Sequence, residues 1–205
     1  MAAPPRLIGM SSSVYVRIAR LAALEKGVAL ERDELDPFQP GGPPAALLAL
    51  NPFGKIPVLR HGELVLYETQ AIAAYLDEGF PGPALQPAGA AARARLRQLQ
   101  GIVDSFAYRP LVWGLYVALS EGKPEPRALE QALADSRRAL RALAGLAAAP
   151  WLLGEAVTLA DCHLAPVIGY LVQVPEGRAL LAEVPGLGAW WDRCRARPGW
   201  SEILA

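Results

Sequence analysis

The sequence predicts a mixed α+β domain followed by an all-helical domain. In the first 79 residues, short apolar runs alternate with helical patterns, whereas the apolar residues after position 90 recur at helical spacing. Between these two parts lies FPGPALQPAG, residues 80–89, whose proline and glycine content is typical of a linker. We therefore assign residues 1–79 to the first domain, 80–89 to the linker and 90–205 to the second domain.

Short β runs and two helical patterns alternate in the first domain. The predicted strands are Arg6–Gly9, Val28–Leu35, Ile56–Arg60 and Leu64–Tyr67. One predicted helix spans Val14–Lys26 and stops at Gly27, and another spans Thr69–Asp77. Asp36–Pro44 (DPFQPGGPP) has the composition of a loop. This order, βαβ followed by a loop and then ββα, is that of a thioredoxin-like domain, whose full pattern is βαβαββα.

The second domain is predicted to contain helices only. Ala90–Leu119 forms one long helix or a pair, with Pro110 as the expected bend, and Leu129–Leu146 is amphipathic. Thr158–Asp161 has the spacing of a capping box, in which a hydroxyl and a carboxylate satisfy the free amides of a helix start. Pro185–Arg197 is predicted to be the last helix.

Composition excludes several classes of function. Hydrophobic residues make up 53% of the chain, and 20 Lys+Arg balance 20 Asp+Glu, so no basic surface for nucleic acid or membrane is expected. The chain shows no signal-peptide pattern and is expected to be soluble and cytoplasmic. Cys162 and Cys194 form no CxxC motif, and with only His61 and His163 as histidines we expect no metal site.

Three segments resemble the cytosolic glutathione transferase superfamily and are most similar to its bacterial serine-type members. The first is SVYVRIARLAALEKG, residues 13–27, which is similar to the opening turn and helix of the family. The second is NPFGKIPVL, residues 51–59, followed by LYETQAIAAYL, residues 66–76, which is similar to the glutathione-binding core. The third is GEAVTLAD, residues 154–161. Together these motifs cover most of the chain in the family's order.

This resemblance implies glutathione as co-substrate and Ser13 as the catalytic hydroxyl. A free thiol has a pKa of about 8.5, and a hydroxyl donor at a helix N-terminus favours its thiolate. Members of the family often carry Ser-Pro or Cys-Pro where this chain has Ser13-Val14. The run of serines at 11–13 leaves Ser11 and Ser12 as alternatives, and Tyr15 is a further hydroxyl. Ser13 could also be only the N-cap of its helix.

The remaining glutathione contacts are expected from two short motifs. The resemblance implies a cis Ile56–Pro57 bond whose backbone pairs with the cysteinyl part of glutathione. Thr69 at a helix start suits the γ-glutamyl carboxylate, Glu68 suits the neighbouring ammonium, and Lys55 could reach the glycyl carboxylate. If these residues do not bind glutathione, Pro57 simply begins a strand and Thr69 simply caps a helix. Glu68 and Lys55 are then solvated charges. The expected electrophile pocket is lined by Val14, Tyr108, Leu111, Val112 and Leu115, which could equally be core residues.

The resemblance favours an enzyme that adds glutathione to a small hydrophobic electrophile, and it implies a homodimer. A glutathione-dependent isomerase is an alternative, although zeta-type isomerases carry Ser-Ser-Cys where this chain has Ser13-Val14-Tyr15. A thiol transferase would need a cysteine at this position. A binding or scaffold protein without catalysis is the alternative from another class, because a fold does not determine a function.

Overall fold

The chain divides into two compact units, and the division falls between Leu85 and Gln86. The computed structural model describes residues 3–122 and 124–205. The first unit has a thioredoxin-like βαβαββα order and the second is helical, as the sequence predicts. The boundary lies inside the Pro/Gly-rich segment 80–89.

A four-stranded mixed sheet organises the first unit. Its strands are β1 (Arg6–Ile8), β2 (Glu31–Asp33), β3 (Val58–His61) and β4 (Leu64–Leu66), in the order β2-β1-β3-β4. β1 and β2 are parallel, while β3 is antiparallel to both β1 and β4. The second strand is much shorter than the predicted Val28–Leu35, because only three of its residues find partners along the three-residue β1.

Three helices complete the first unit. They are α1 (Val14–Lys26), α2 (Ala45–Leu48) and α3 (Thr69–Glu78), and α1 packs against α3. α1 has the predicted bounds because its apolar positions keep a helical period and Gly27 adopts the left-handed conformation (φ 75°) that closes it. The α2 helix is a single turn, too short to give a periodic signal.

A continuous helical run opens the second unit. It comprises α4 (Ala90–Ile102), two π-helical segments (Val103–Ala107 and Arg109–Val117) and α5 (Ala118–Glu121). The prediction of one long helix or a pair over Ala90–Leu119 is therefore nearly right in extent, but about half of the run has the wider i→i−5 pattern. Pro110 lies in the second π segment, where it lacks an amide hydrogen to donate.

Five further helices follow in the second unit. They are α6 (Pro126–Leu146), α7 (Leu159–Leu171), α8 (Pro175–Ala182), α9 (Pro185–Ala196) and α10 (Trp200–Leu204). The prediction that the 185–197 helix is the last one is wrong, since α10 forms after Pro198-Gly199. The predicted capping box is confirmed: Thr158 caps α7, and Asp161 accepts from the Thr158 amide. All of α7 is buried.

Candidate functional site

Ser13 stands at the start of α1 as its N-cap residue. Its Oγ accepts from the Val16 amide at 3.5 Å, and its backbone is extended (φ −69°, ψ 129°). Within the described chain the Ser13 hydroxyl hydrogen has no acceptor. A partly buried hydroxyl thus lies at the positive end of a 13-residue helix with its hydrogen available to a ligand.

Ser11 is engaged in a different way. Its amide donates to Oε2 of Glu34 at 2.9 Å, and its hydroxyl donates to Oε1 of the same carboxylate. These two hydrogen bonds hold the pKa of the Glu34 carboxyl below its ordinary value. Because the Ser11 hydroxyl hydrogen is already used, the geometry favours Ser13 over Ser11 as a donor to a thiolate. Ser12 is exposed, and Tyr15 lies within α1.

The loop that leads to Pro57 is ordered by a buried asparagine. Asn51 is 2% exposed; its Nδ2 donates to the Lys55 carbonyl at 2.8 Å, and its Oδ1 accepts from the Phe53 amide at 3.1 Å. Gly54 has φ 61°, and a Cβ there would lie 2.6 Å from Pro43. The turn therefore needs glycine at this position. The Lys55 side chain is exposed.

The Ile56–Pro57 peptide bond is cis, as the resemblance implies. No residue of the described chain forms a backbone hydrogen bond with Ile56, so its amide and carbonyl are available to an added extended peptide. Gly9 allows Ile56 to approach α1: a Cβ on Gly9 would lie 3.0 Å from the Ile56 Cβ and 2.7 Å from Val16 Cγ2.

Glu68 and Thr69 form the N-terminus of α3. Among the described residues, Glu68 is the only one other than glycine with a positive φ, at 69°, which costs of order 1–3 kcal/mol. No side chain caps this helix start. Glu68 is exposed and Thr69 is 8% exposed, so the N-terminus of α3, which no side chain caps, lies beside a carboxylate in an arrangement that suits an anion.

The five predicted pocket residues have unequal exposure. Leu111 and Leu115 are fully buried, and Val14 and Val112 are 4% and 5% exposed, so these four side chains are core-like. Tyr108 is only partly buried; its hydroxyl accepts from Trp113 Nε1 at 2.9 Å, and burial raises its pKa. Trp113 is 46% exposed and was not predicted as a site residue. The pocket assignment remains a prediction.

Other chemistry is sparse in the part of the chain that the structure describes. No group of three His, Cys, Asp or Glu side chains is placed to hold a metal ion there. Cys162 and Cys194 are buried and form no disulfide. None of the helices in residues 3–122 and 124–205 combines the length and apolar character that crossing a bilayer requires.

Comparison with known proteins identifies the family. Residues 7–84 match the N-terminal domain and residues 107–198 the C-terminal domain of glutathione S-transferases. Glutathione S-transferase F10 of Arabidopsis thaliana is 32% identical over 199 residues, which cover 91% of this chain and 90% of the relative. The chain belongs to the glutathione S-transferase family, whose co-substrate is glutathione.

Two further comparisons show the range of the relatives. A theta class glutathione S-transferase from Xanthomonas axonopodis pv. citri, solved with glutathione bound, is 33% identical, with a TM-score of 0.83 over 100% of this chain and 98% of that one. A stringent starvation protein A homolog of Pasteurella multocida is 32% identical over 163 residues, or 79% of this chain and 72% of the relative. Similar identity therefore extends to a protein that is not named a transferase.

Glu34, Asn51 and Gly9 were missed as site-shaping residues in the sequence. Asn51 could have been suspected, because it is the first residue of the NPFGKIPVL motif, and Gly9 could have been suspected as the glycine that ends the first predicted strand. Glu34 gave no signal, since its contact with Ser11 spans 23 residues and lies in a stretch predicted to be a strand.

Proposed function

We propose that this protein is a cytoplasmic glutathione transferase that activates the thiol of glutathione through Ser13 and adds it to a small hydrophobic electrophile. The observation that carries the proposal is the Ser13 hydroxyl, whose Oγ already accepts from Val16 while its hydrogen has no acceptor in the described chain. Two buried cysteines without a disulfide fit a reducing compartment.

Glutathione is held by the two motifs of the first unit. Its γ-glutamyl carboxylate accepts hydrogen bonds from the amides at the start of α3, which no side chain caps, and from the Thr69 hydroxyl. Its α-ammonium pairs with the Glu68 carboxylate. Its cysteinyl backbone pairs with the free amide and carbonyl of Ile56 beside Pro57. The exposed Lys55 reaches the glycyl carboxylate.

Activation consists of moving one proton. The thiol of bound glutathione releases its proton to water, and the Ser13 O–H then donates to the resulting thiolate. The positive end of the α1 dipole favours the same charge. Lowering the thiol pKa by about two units requires about 2.7 kcal/mol, which one charge-assisted hydrogen bond and a helix terminus can supply. The thiolate sulfur then attacks an electrophilic carbon. With an aryl halide, the new C–S bond replaces the carbon–halogen bond, and the halide leaves with the bonding electron pair.

The electrophile is assigned to Tyr108 and the apolar side chains Leu111, Val112 and Leu115 of the second unit, and the role of Val14 stays a prediction from the sequence. Since Leu111, Val112 and Leu115 are buried, their role is to shape the wall of this pocket, whereas the partly exposed Tyr108 is able to touch the substrate. This assignment predicts apolar substrates with aromatic or extended aliphatic bodies.

A homodimer is the proposed assembly. Phe53 is 67% exposed and lies close to Lys55 and Ile56 in the chain. Its ring packs edge-on against the ring of Tyr67, with 6.1 Å between the ring centroids. Large exposed aromatic side chains are enriched at protein interfaces. Light scattering at micromolar concentration should give twice the chain mass, and a monomer would contradict the assignment.

A binding or scaffold protein without catalysis, built on the same fold, is the second candidate, favoured by the 32% identity to a stringent starvation protein A homolog. Calorimetric titration with reduced glutathione, followed by turnover of aryl halides, hydroperoxides and cis-dienoic acids, separates the two. Binding with conjugation of an aryl halide supports the transferase; turnover of the cis-dienoic acids alone indicates the isomerase. Binding without turnover indicates the second candidate, and no binding at millimolar glutathione contradicts the transferase and favours a scaffold protein.

A further inference from the structure

The turn that precedes α1 is held by the side chain of Glu34. Both oxygens of this carboxylate accept from one residue: Oε2 from the Ser11 amide at 2.9 Å and Oε1 from the Ser11 hydroxyl. Glu34 directly follows β2, which pairs in parallel with β1. The carboxylate therefore fixes the turn to the sheet.

The third polar group of Ser11 is held as well. Its carbonyl accepts from Nε of Arg17, at 3.2 Å, and Arg17 is only 6% exposed. Two residues further along, the Ser13 amide donates to the Met10 carbonyl at 2.9 Å and closes the turn. Every polar group of Ser11 is thus engaged, which limits how far the neighbouring Ser13 can move.

The charge on Glu34 is secure near neutral pH. Its pKa lies below the ordinary value, first because the Ser11 hydroxyl and then the Ser11 amide donate to it, and also because Arg32 and Arg20 place positive charge nearby. The carboxylate is therefore a permanent acceptor for two hydrogen bonds over the range in which glutathione ionises.

We propose that Glu34 is a positioning residue for thiol activation. By holding Ser11 with both carboxylate oxygens, it fixes the position of Ser13 and so the direction in which the Ser13 O–H group points. This inference rests on the proposed function of Ser13. A hydrogen bond that favours a thiolate depends on alignment, and a misplacement of about 1 Å can cost up to a hundredfold in rate. In this role Glu34 acts through Ser11, to which both of its carboxylate oxygens are bonded.

The test compares Glu34→Ala, Ser11→Ala and Ser13→Ala with the wild type, with Glu63→Ala as control because Glu63 is an exposed glutamate in the β3–β4 turn. The pKa of the bound thiol is read from thiolate absorbance against pH, glutathione affinity from calorimetry and folding from thermal melts. In Glu34→Ala the bound-thiol pKa should rise by about half to one unit, and turnover below that pKa should fall about three- to tenfold. Affinity should change little.

Two further variants separate positioning from general loss of structure. Ser11→Thr keeps the hydroxyl and should behave as the wild type. The double variant Glu34→Ala/Ser11→Ala should be no worse than Glu34→Ala alone, because Glu34→Ala already removes the acceptor of the Ser11 hydroxyl. If Glu34→Ala melts early, Glu34→Gln, which keeps one acceptor oxygen, should still show an intermediate thiol pKa.

The outcomes distinguish this inference from the proposed function. A shifted thiol pKa in Ser13→Ala with an unshifted one in the Glu34 variants would overturn the positioning role alone. An equal loss of stability and affinity in Glu34→Ala without a pKa change would also overturn it. A wild-type thiol pKa that is not lowered on binding would overturn the role of Ser13 and this inference together.

Discussion

Lys26 and Asp77 form a buried ion pair that joins the ends of the two helices whose starts carry the candidate site. Lys26 Nζ lies 3.0 Å from Asp77 Oδ1, and the side chains are 5% and 6% exposed. Nζ also donates to the Pro83 carbonyl at 3.0 Å, and Oδ1 accepts from the Leu85 amide at 2.8 Å. The pair therefore fixes α1, α3 and the following segment to one another.

Breaking this pair should strongly destabilise the protein. Asp77→Leu leaves the Lys26 ammonium buried without its counter-charge, and removing one partner of a buried pair costs about 3–5 kcal/mol. Denaturant unfolding measures the loss. Adding Lys26→Met to Asp77→Leu should restore part of it, and an exposed pair gives the control: Asp192→Ala, beside Arg195, should cost about 0.5 kcal/mol or less. Equal losses at the two sites would contradict this account.

Gly9→Ala should weaken glutathione binding indirectly, by displacing Ile56. The new Cβ would lie 2.7 Å from Val16 Cγ2 and 3.0 Å from the Ile56 Cβ, and φ at Gly9 is 147°. We expect a stability loss of about 1–3 kcal/mol and weaker glutathione binding, because Ile56 must shift. Gly154→Ala has a similar φ of 123° with open space around it, so it isolates the backbone cost. Unchanged affinity in Gly9→Ala would show that Ile56 does not contact glutathione.

Asp161 should be essential for the stability of the second unit. This carboxylate accepts from the Thr158 amide and hydroxyl, the Leu152 amide and Trp190 Nε1, all within 2.9 Å, and burial raises its pKa. Asp161→Ala leaves four buried donors without an acceptor, for which we expect a loss of about 3–5 kcal/mol. Asp161→Asn keeps one acceptor oxygen and should lose less. If Asp161→Ala left the free energy of unfolding in denaturant nearly unchanged, the role of the capping box would be contradicted.

The thiols of the two cysteines should be unreactive in the native protein. Cys162 and Cys194 are 0% exposed, and burial raises the pKa of the Cys194 thiol well above its ordinary value. Neither should react with an aromatic disulfide reagent until the protein unfolds. The protein without glutathione should accordingly show no thiolate absorbance that titrates near neutral pH. Fast labelling of either native thiol would contradict this burial and complicate any thiolate measurement.

The local patterns of the sequence predicted much of the fold. α1 and the capping box of α7 were predictable because a helical period, a closing glycine and a capping pair lie within a few neighbouring residues. The length of β2 depends on its partner strand, and the π segments depend on hydrogen-bond register within a packed helix. Neither the alternation over residues 28–35 nor the apolar spacing of 90–119 contains that information.

The candidate site was predictable in its residues but not in its geometry. Ile56–Pro57 and Glu68–Thr69 lie in contiguous motifs, so the sequence pointed to them directly. The choice between Ser11 and Ser13 depends on Glu34, which reaches Ser11 across 23 residues of chain. A contact of this kind arises from the pairing of β1 and β2, and no local pattern in the sequence indicates it.

The central claim is that the Ser13 hydroxyl stabilises the glutathione thiolate, and thiolate absorbance against pH in Ser13→Ala, Ser11→Ala and Ser12→Ala tests it most directly. A hydrogen bond to a charged group is worth about 1.5–3 kcal/mol, so Ser13→Ala should raise the bound-thiol pKa by about one to two units. Turnover near neutral pH should fall about ten- to a hundredfold, with glutathione affinity nearly unchanged. Ser11→Ala and Ser12→Ala should shift the pKa much less. An unshifted pKa in Ser13→Ala, with about 1 kcal/mol of lost stability, would show that Ser13 is only a helix cap.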